Sequence, residues 1–189
     1  MKPFFLAAAL FLQFAVFAQS PCEFSTNVND SIGSTKTTKD FIAYEKNFGG
    51  SSTYLFLSLT LMDQMPLLNI KVITKSKDFI KANCIDKNSR AYIQLDNGKI
   101  ITLLAGDNED CGTSVRDDNS NNIRLQTGLF MFMKNSIEEL KSSKMSLLRI
   151  RYATETVDYY IKSEIVSELT KETYHPQSYF IDTLHCIDN

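Results

Sequence analysis

The side chains of this chain that could do chemistry are few. Among 189 residues there are four cysteines, two histidines and no tryptophan. Cys22, Cys84, Cys111 and Cys186 include no C-x-x-C pair, and with histidine so scarce a structural metal site is not indicated. In an exported chain four cysteines are most simply two disulfides, with three pairings open. Asn97-Gly98 chooses among them. It lies between two β-rich runs and is the strongest short-range hairpin signal, because a type I′ turn needs positive φ at both central residues. In a two-residue hairpin centred there, opposed residue numbers have a constant sum, and Cys84 and Cys111 obey it. The expectation is therefore Cys84–Cys111, leaving Cys22–Cys186 to tie the two ends together. In the chain-entropy model these would contribute ~3.5 and ~5 kcal/mol.

Nucleophilic catalysis finds little support. His175 precedes a proline and His185 adjoins Cys186; no G-x-S-x-G elbow exists, and paired cysteines carry no thiol. A carboxylate-based hydrolase needs no sequence signature, only two acids at the right separation. Glu138 with Glu139, or Asp107 with Glu109 and Asp110, are the places to look. The plainer reading puts the first pair in the opening turn of a helix, where the dipole favours negative charge, and the second set in a solvated loop. Asp117-x-Asn119-x-Asn121 matches the first oxygen positions of an EF-hand loop, but Asn122 stands where glycine belongs and Gly128 where the bidentate glutamate belongs. A hydrated turn is the better reading. Arg149 and Arg151 share one face of a strand, with Tyr160 and Lys162 on the matching face of its neighbour. They make a basic-aromatic patch that could meet a partner, weighed against a solvated face whose charges Asp158 and Glu155 answer. No glycine-rich phosphate loop is present, and no cofactor is indicated.

The N-terminus reads as an export signal spanning 1–18: Lys2, an apolar run over 4–17, then compact residues ending at Ala18. The run is shorter than the ~20 residues of a membrane span, and no second run follows. The first cysteine, Cys22, sits too far from the cleavage site for a lipid anchor. Residues 19–189 are then one domain, secreted or periplasmic. Removing Lys2 takes the charge from −2 to −3, which gives no electrostatic reason to expect nucleic acid.

Strands are expected over 41–48, 54–60, 68–72 and 123–133, with hairpins at 91–104 and 147–161. With facing positions set by a two-residue turn, the first hairpin carries apolar residues on both faces and should be covered on both sides or lie inside a larger sheet. A long polar loop is expected over 107–122. A capping-box helix begins at Ser136 with Glu139, and a short helix begins at Ser178. The fold class is α+β with antiparallel sheet dominant. About seven to nine strands form a sandwich or partly closed barrel, with one short internal and one short C-terminal helix. The function reading is an exported, disulfide-stabilised, non-catalytic binding or interaction domain, whose partner is a protein or a small apolar ligand. The first alternative is an apolar-ligand carrier, in which Phe130, Met131, Phe132 and Met133 line a barrel pocket. The second is the carboxylate-based hydrolase. Intact-mass measurement of the exported protein should give a chain beginning at Gln19 and lighter by four protons from two disulfides; a chain starting at Met1 would refute the export reading.

Overall fold

The computed structural model describes residues 21–188, so the proposed signal segment lies outside the described residues. The chain forms β1 (Phe24–Asn29), β2 (Ser34–Thr38), β3 (Phe41–Phe48), β4 (Ser51–Met62), β5 (Met65–Ser76), β6 (Arg90–Leu95), β7 (Ile100–Ala105), β8 (Thr113–Arg116) and β9 (Asn122–Phe132). Then follow α1 (Ser136–Ser142), β10 (Met145–Arg151), β11 (Thr156–Tyr160), the two-residue strands β12 (Ile165–Val166) and β13 (Thr173–Tyr174), and α2 (Tyr179–Thr183) between two 3₁₀ turns. This is the expected mainly antiparallel fold with two short helices, and the sheet is not closed.

Eleven strands form one sheet in the order β1-β2-β4-β5-β9-β7-β6-β10-β11, nine positions across. The other two share edges: β3 lies beside the first half of β4 while β2 pairs with its last residues, and β8 and β7 divide one edge of β9 in the same way. Alternation sends every second side chain inward. On one half of the sheet Leu57 and Ile70 form an inward rung beside Gly128, and Leu59, Leu68 and Phe130 form the next. On the other half the rungs are Leu103–Ala91–Ile150–Val157 and Ile101–Ile93–Leu148–Tyr159. These residues belong to one buried cluster with Val157 packed at its margin, and Gly128 leaves the space that Ile85 fills. The sheet folds over so that Tyr44 of β3 meets Tyr159 of β11, ring centroids 5.3 Å apart. Leu140, Tyr179, Phe180, Leu184 and Ile187 close one end of the core from the helices. Each such buried side chain contributes about 1.5–3 kcal/mol.

The Asn97-Gly98 hairpin forms one residue away from the expected register. Gly98 N donates to Leu95 O at 3.0 Å and Leu95 N to Lys99 O at 2.9 Å, closing a three-residue loop. Of the two central residues only Gly98 has positive φ, at 83°. Ile93 therefore opposes Ile101 instead of Thr102. The slip sorts the faces: Ala91, Ile93, Leu95, Ile101 and Leu103 are buried, while Gln94 and Ile100 are exposed. The hairpin lies inside the larger sheet, between β9 and β10, and buries one face. Positive-φ two-residue turns do occur elsewhere, at Gly49-Gly50 and at Asp63-Gln64.

Other local expectations change too. The span 107–122 contains β8, which pairs with β9 through a turn at Asp117. Its four residues are all exposed, so no apolar alternation announces it. Ser136 is the first helical residue of α1 and donates its hydroxyl to Met133 O at 2.6 Å, so no capping box forms; the left-handed Asn135 precedes it. The C-terminal helix is broken into three pieces and buries Tyr179, while Ile181 is exposed. Gly98→Ala should cost about 1 kcal/mol, since alanine disfavours the left-handed region, and Leu148→Ala about 2–5 kcal/mol. Urea unfolding followed by circular dichroism measures both.

Candidate functional site

The proposed basic-aromatic patch lies on the outer face of β6, β10 and β11. Arg149 and Asp158 are directly opposed and joined by two bonds, Nε to Oδ1 at 2.6 Å and Nη2 to Oδ2 at 2.7 Å. Arg151 Nη2 donates to Asn88 O at 2.8 Å. Tyr160 and Lys162 are exposed beside them. Next to these residues Tyr92, Gln94, Ile100, Thr102, Leu147 and Thr156 line a depression of about 540 Å³. Arg149 is thus already neutralised, as the solvated-face reading anticipates, whereas Arg151 meets only a backbone carbonyl; Glu155 instead faces Lys81 at 3.6 Å.

A second concavity is built by the open end of the sheet. The inward face changes character at one level in four strands at once. The rung Tyr44–Leu55–Val72–Gln126 is the last with apolar weight, and the next is Lys46–Thr53–Thr74–Arg124. Ser51 and Ser76 lie beyond it on the same inward parity. Across the gap stand Tyr152, Val157 and Tyr159 from β10–β11, and residues 79–83 form a side wall. The result is a half-open cleft of about 500 Å³, within the range of small-ligand sites.

Its floor is phenolic. Tyr152 and Tyr159 are buried and their hydroxyl oxygens lie 3.3 Å apart. One proton serves the bond between them, so the pair retains one O–H for a further acceptor. Burial raises the pKa of Tyr44, Tyr152 and Tyr159, keeping all three neutral donors at ordinary pH. In the side wall Asn83 Oδ1 is buried and has no partner among the described residues.

The Cys84–Cys111 disulfide holds that wall. The two sulfurs are bonded at 2.01 Å, and Ile85 and Asp110 next to them exchange backbone bonds of 2.8 and 2.9 Å. Arg124 spans wall and staple, donating from Nε to Ile80 O at 3.3 Å and from Nη1 to Cys111 O at 3.1 Å. Asn122 Nδ2 donates to Lys77 O and Asp78 O. Gly112 completes the staple. Its φ is 72°, and a Cβ there would lie 2.5 Å from Leu125 O. The second disulfide, Cys22–Cys186 with sulfurs 2.06 Å apart, fastens the start of β1 to the C-terminal 3₁₀ turn, far from this wall in the fold order.

The remaining candidates are structural in their contacts. Asp117 accepts from Asn119 N, Asn121 N and the Asn121 side chain, and pairs with Lys75 at 2.7 Å. The Lys75 ammonium and then the Asn121 donors hold its carboxyl far below the usual range. Donors thus occupy the carboxylate that the calcium reading needs. Glu138 and Glu139 pair with Lys141 and Lys99, not with each other. Side-chain donors hold the carboxyls of Glu23, Asp86, Asp117 and Asp158 below the usual range, whereas a catalytic acid needs a raised value. His175 faces Glu164 at 4.0 Å, and His185 Nε2 lies 3.2 Å from Cys22 Sγ. Of the carrier's proposed lining, Phe130 is fully buried in the core and Met133 is exposed at the surface.

Tyr44, Lys46, Arg124, Gln126, Tyr152 and Tyr159 were not singled out by motif. Their shared signal is a change from apolar to polar along the inward parity of neighbouring strands, visible only once the strands are placed side by side. Replacing both Cys84 and Cys111 with serine should lower stability by about 2–4 kcal/mol and speed amide exchange selectively over residues 79–85. Hydrogen-exchange mass spectrometry reads the second effect; unchanged exchange there would show that the wall stands without its staple.

No family model, curated protein sequence or solved structure matches this chain, so the geometry of the cleft is what any functional reading must stand on.

Proposed function

We propose that this protein is an exported, disulfide-stabilised, non-catalytic binding domain whose ligand enters the open mouth of the sheet. The observation that carries the reading is the cleft itself: a concavity of about 500 Å³ with an aromatic floor and a polar rim. Filling that end with leucine or valine would have added stability; the chain instead places Lys46, Thr53, Thr74 and Arg124 there. Support for export comes from the leader-like sequence over 1–18 and from two disulfides, which persist in oxidising compartments. Among the described residues no helix is long and apolar enough to cross a membrane.

The competing readings have less behind them. An apolar-ligand carrier was tied to a closed barrel, but the sheet is open and Phe130 packs within the core. A carboxylate-based hydrolase needs two acids facing one another, but the only carboxylate lining the cleft is Asp158, and Arg149 holds it.

The test is a fragment screen by two-dimensional NMR on ¹⁵N-labelled protein spanning 19–189. Shifts from bound fragments should cluster on Tyr44, Gln126, Tyr152 and Tyr159. Clustering on Tyr92, Arg149 and Tyr160 would move the site to the outer face and overturn the cleft reading.

A further inference from the structure

The cleft is lined by more cations than acids. Its lining contains Lys46, Lys81 and Arg124 against a single acid, Asp158. Asp158 is neutralised by the two-bond pair with Arg149, and Lys81 faces Glu155 at 3.6 Å. Lys46 and Arg124 remain, and neither forms an ion pair among the described residues.

Arg124 is the more informative of the two. It is partly buried, and its two bonds to Ile80 O and Cys111 O fix the guanidinium plane. A guanidinium has five N–H donors, so those two bonds leave three for another acceptor. A partly desolvated cation without a counter-charge is costly, and an arriving oxyanion relieves that cost. Lys46 and Arg124 stand at the two ends of one rung, with Thr53 and Thr74 between. Three strand spacings of about 4.8 Å separate their backbones, roughly 14 Å, and the Lys46 side chain is long enough to lean over the threonines towards the fixed Arg124 guanidinium. Beneath them Val72, Val157 and the Tyr44 ring give an apolar and aromatic surface, and the Tyr152–Tyr159 pair holds a spare O–H.

Resting on the cleft reading above, we propose that the ligand is a small organic anion: a planar or apolar body that ends in a carboxylate or phosphate oxyanion. The oxyanion sits against Arg124 in the field of Lys46, and the body lies on the tyrosine floor. The outer patch makes a weaker offer: Asp158 already neutralises Arg149, and Arg151, although bonded only to Asn88 O, is exposed, so water screens its charge more than that of the partly buried Arg124.

Isothermal titration of the mature protein with three probes tests this: 2-naphthoate, 2-naphthyl phosphate and the neutral 2-naphthamide. At least one of the two anions should bind about tenfold or more tightly than the amide, the usual scale of a charge-assisted hydrogen bond. Which anion wins identifies the oxyanion. Lys46→Gln, which removes no side-chain hydrogen bond or ion pair among the described residues, should shrink that ratio severalfold. Arg124→Gln should bring it close to one, and the ratio separates lost charge recognition from a loosened wall, which would weaken all three probes alike. Equal binding of anions and amide would overturn the anion inference while leaving the cleft a binding site. Anion binding that is unaffected in both variants would overturn it as well. Binding of none of the probes at millimolar concentration would count against both readings.

Discussion

One continuous antiparallel sheet must bury its own inward face, and most other features of this protein follow from that requirement. A sheet of nine positions with apolar residues on one side has to be covered by another layer or folded on itself. Here it folds, bringing β3 opposite β11, where Tyr44 meets Tyr159. The two edges approach through side chains and the sheet stays open. The segment after β11 fills the seam at one end: Gln177 donates to Ile161 O, and Tyr174 packs edge-on against Phe41. At the other end the seam stays open, and there the inward residues become polar.

The two disulfides divide their work along the same axis. Cys22–Cys186 secures the closed end, where β1 and the C-terminal turns meet. Cys84–Cys111 secures the open end, pinning the two connections that flank the β6–β7 hairpin. Those connections are irregular and carry few apolar contacts of their own, with Ile85 as the buried exception. Covalent linkage and the hydrogen bonds of Arg124 and Asn122 replace the packing that such segments lack. A rigid wall matters for a binding site, because a preorganised pocket pays less ordering entropy on binding.

The legibility of this fold in the sequence varied with how local the deciding signal was. The β10–β11 hairpin was readable throughout: Leu148, Ile150 and Tyr152 alternate with Arg149 and Arg151, and burial follows that alternation. The Asn97-Gly98 hairpin was recognisable, but its register was not, because one residue's φ decides between a two- and a three-residue loop. Gly98 alone is left-handed, and that slip of one position turned a two-faced hairpin into an amphipathic one. The mirrored spacing of Cys84 and Cys111 belongs to a separate bridge at Ile85 and Asp110, one residue out of step with the ladder itself. β8 escaped because exposed polar strands have no apolar period.

The amino-acid sequence on its own determined the inventory: which runs alternate, where the turns fall, that the fold is mainly antiparallel sheet, and that no motif of nucleophilic catalysis is present. These are local properties, set by side-chain size, polarity and backbone freedom over a few neighbouring residues. Only the tertiary structure decided that Lys46 and Arg124, 78 positions apart, end the same rung, and that β3 and β11 face each other across an open seam. Adjacency of distant strands depends on packing a whole face against itself, and no short window of sequence contains it. The cleft was invisible until the sheet was assembled, although every residue that lines it was in plain view.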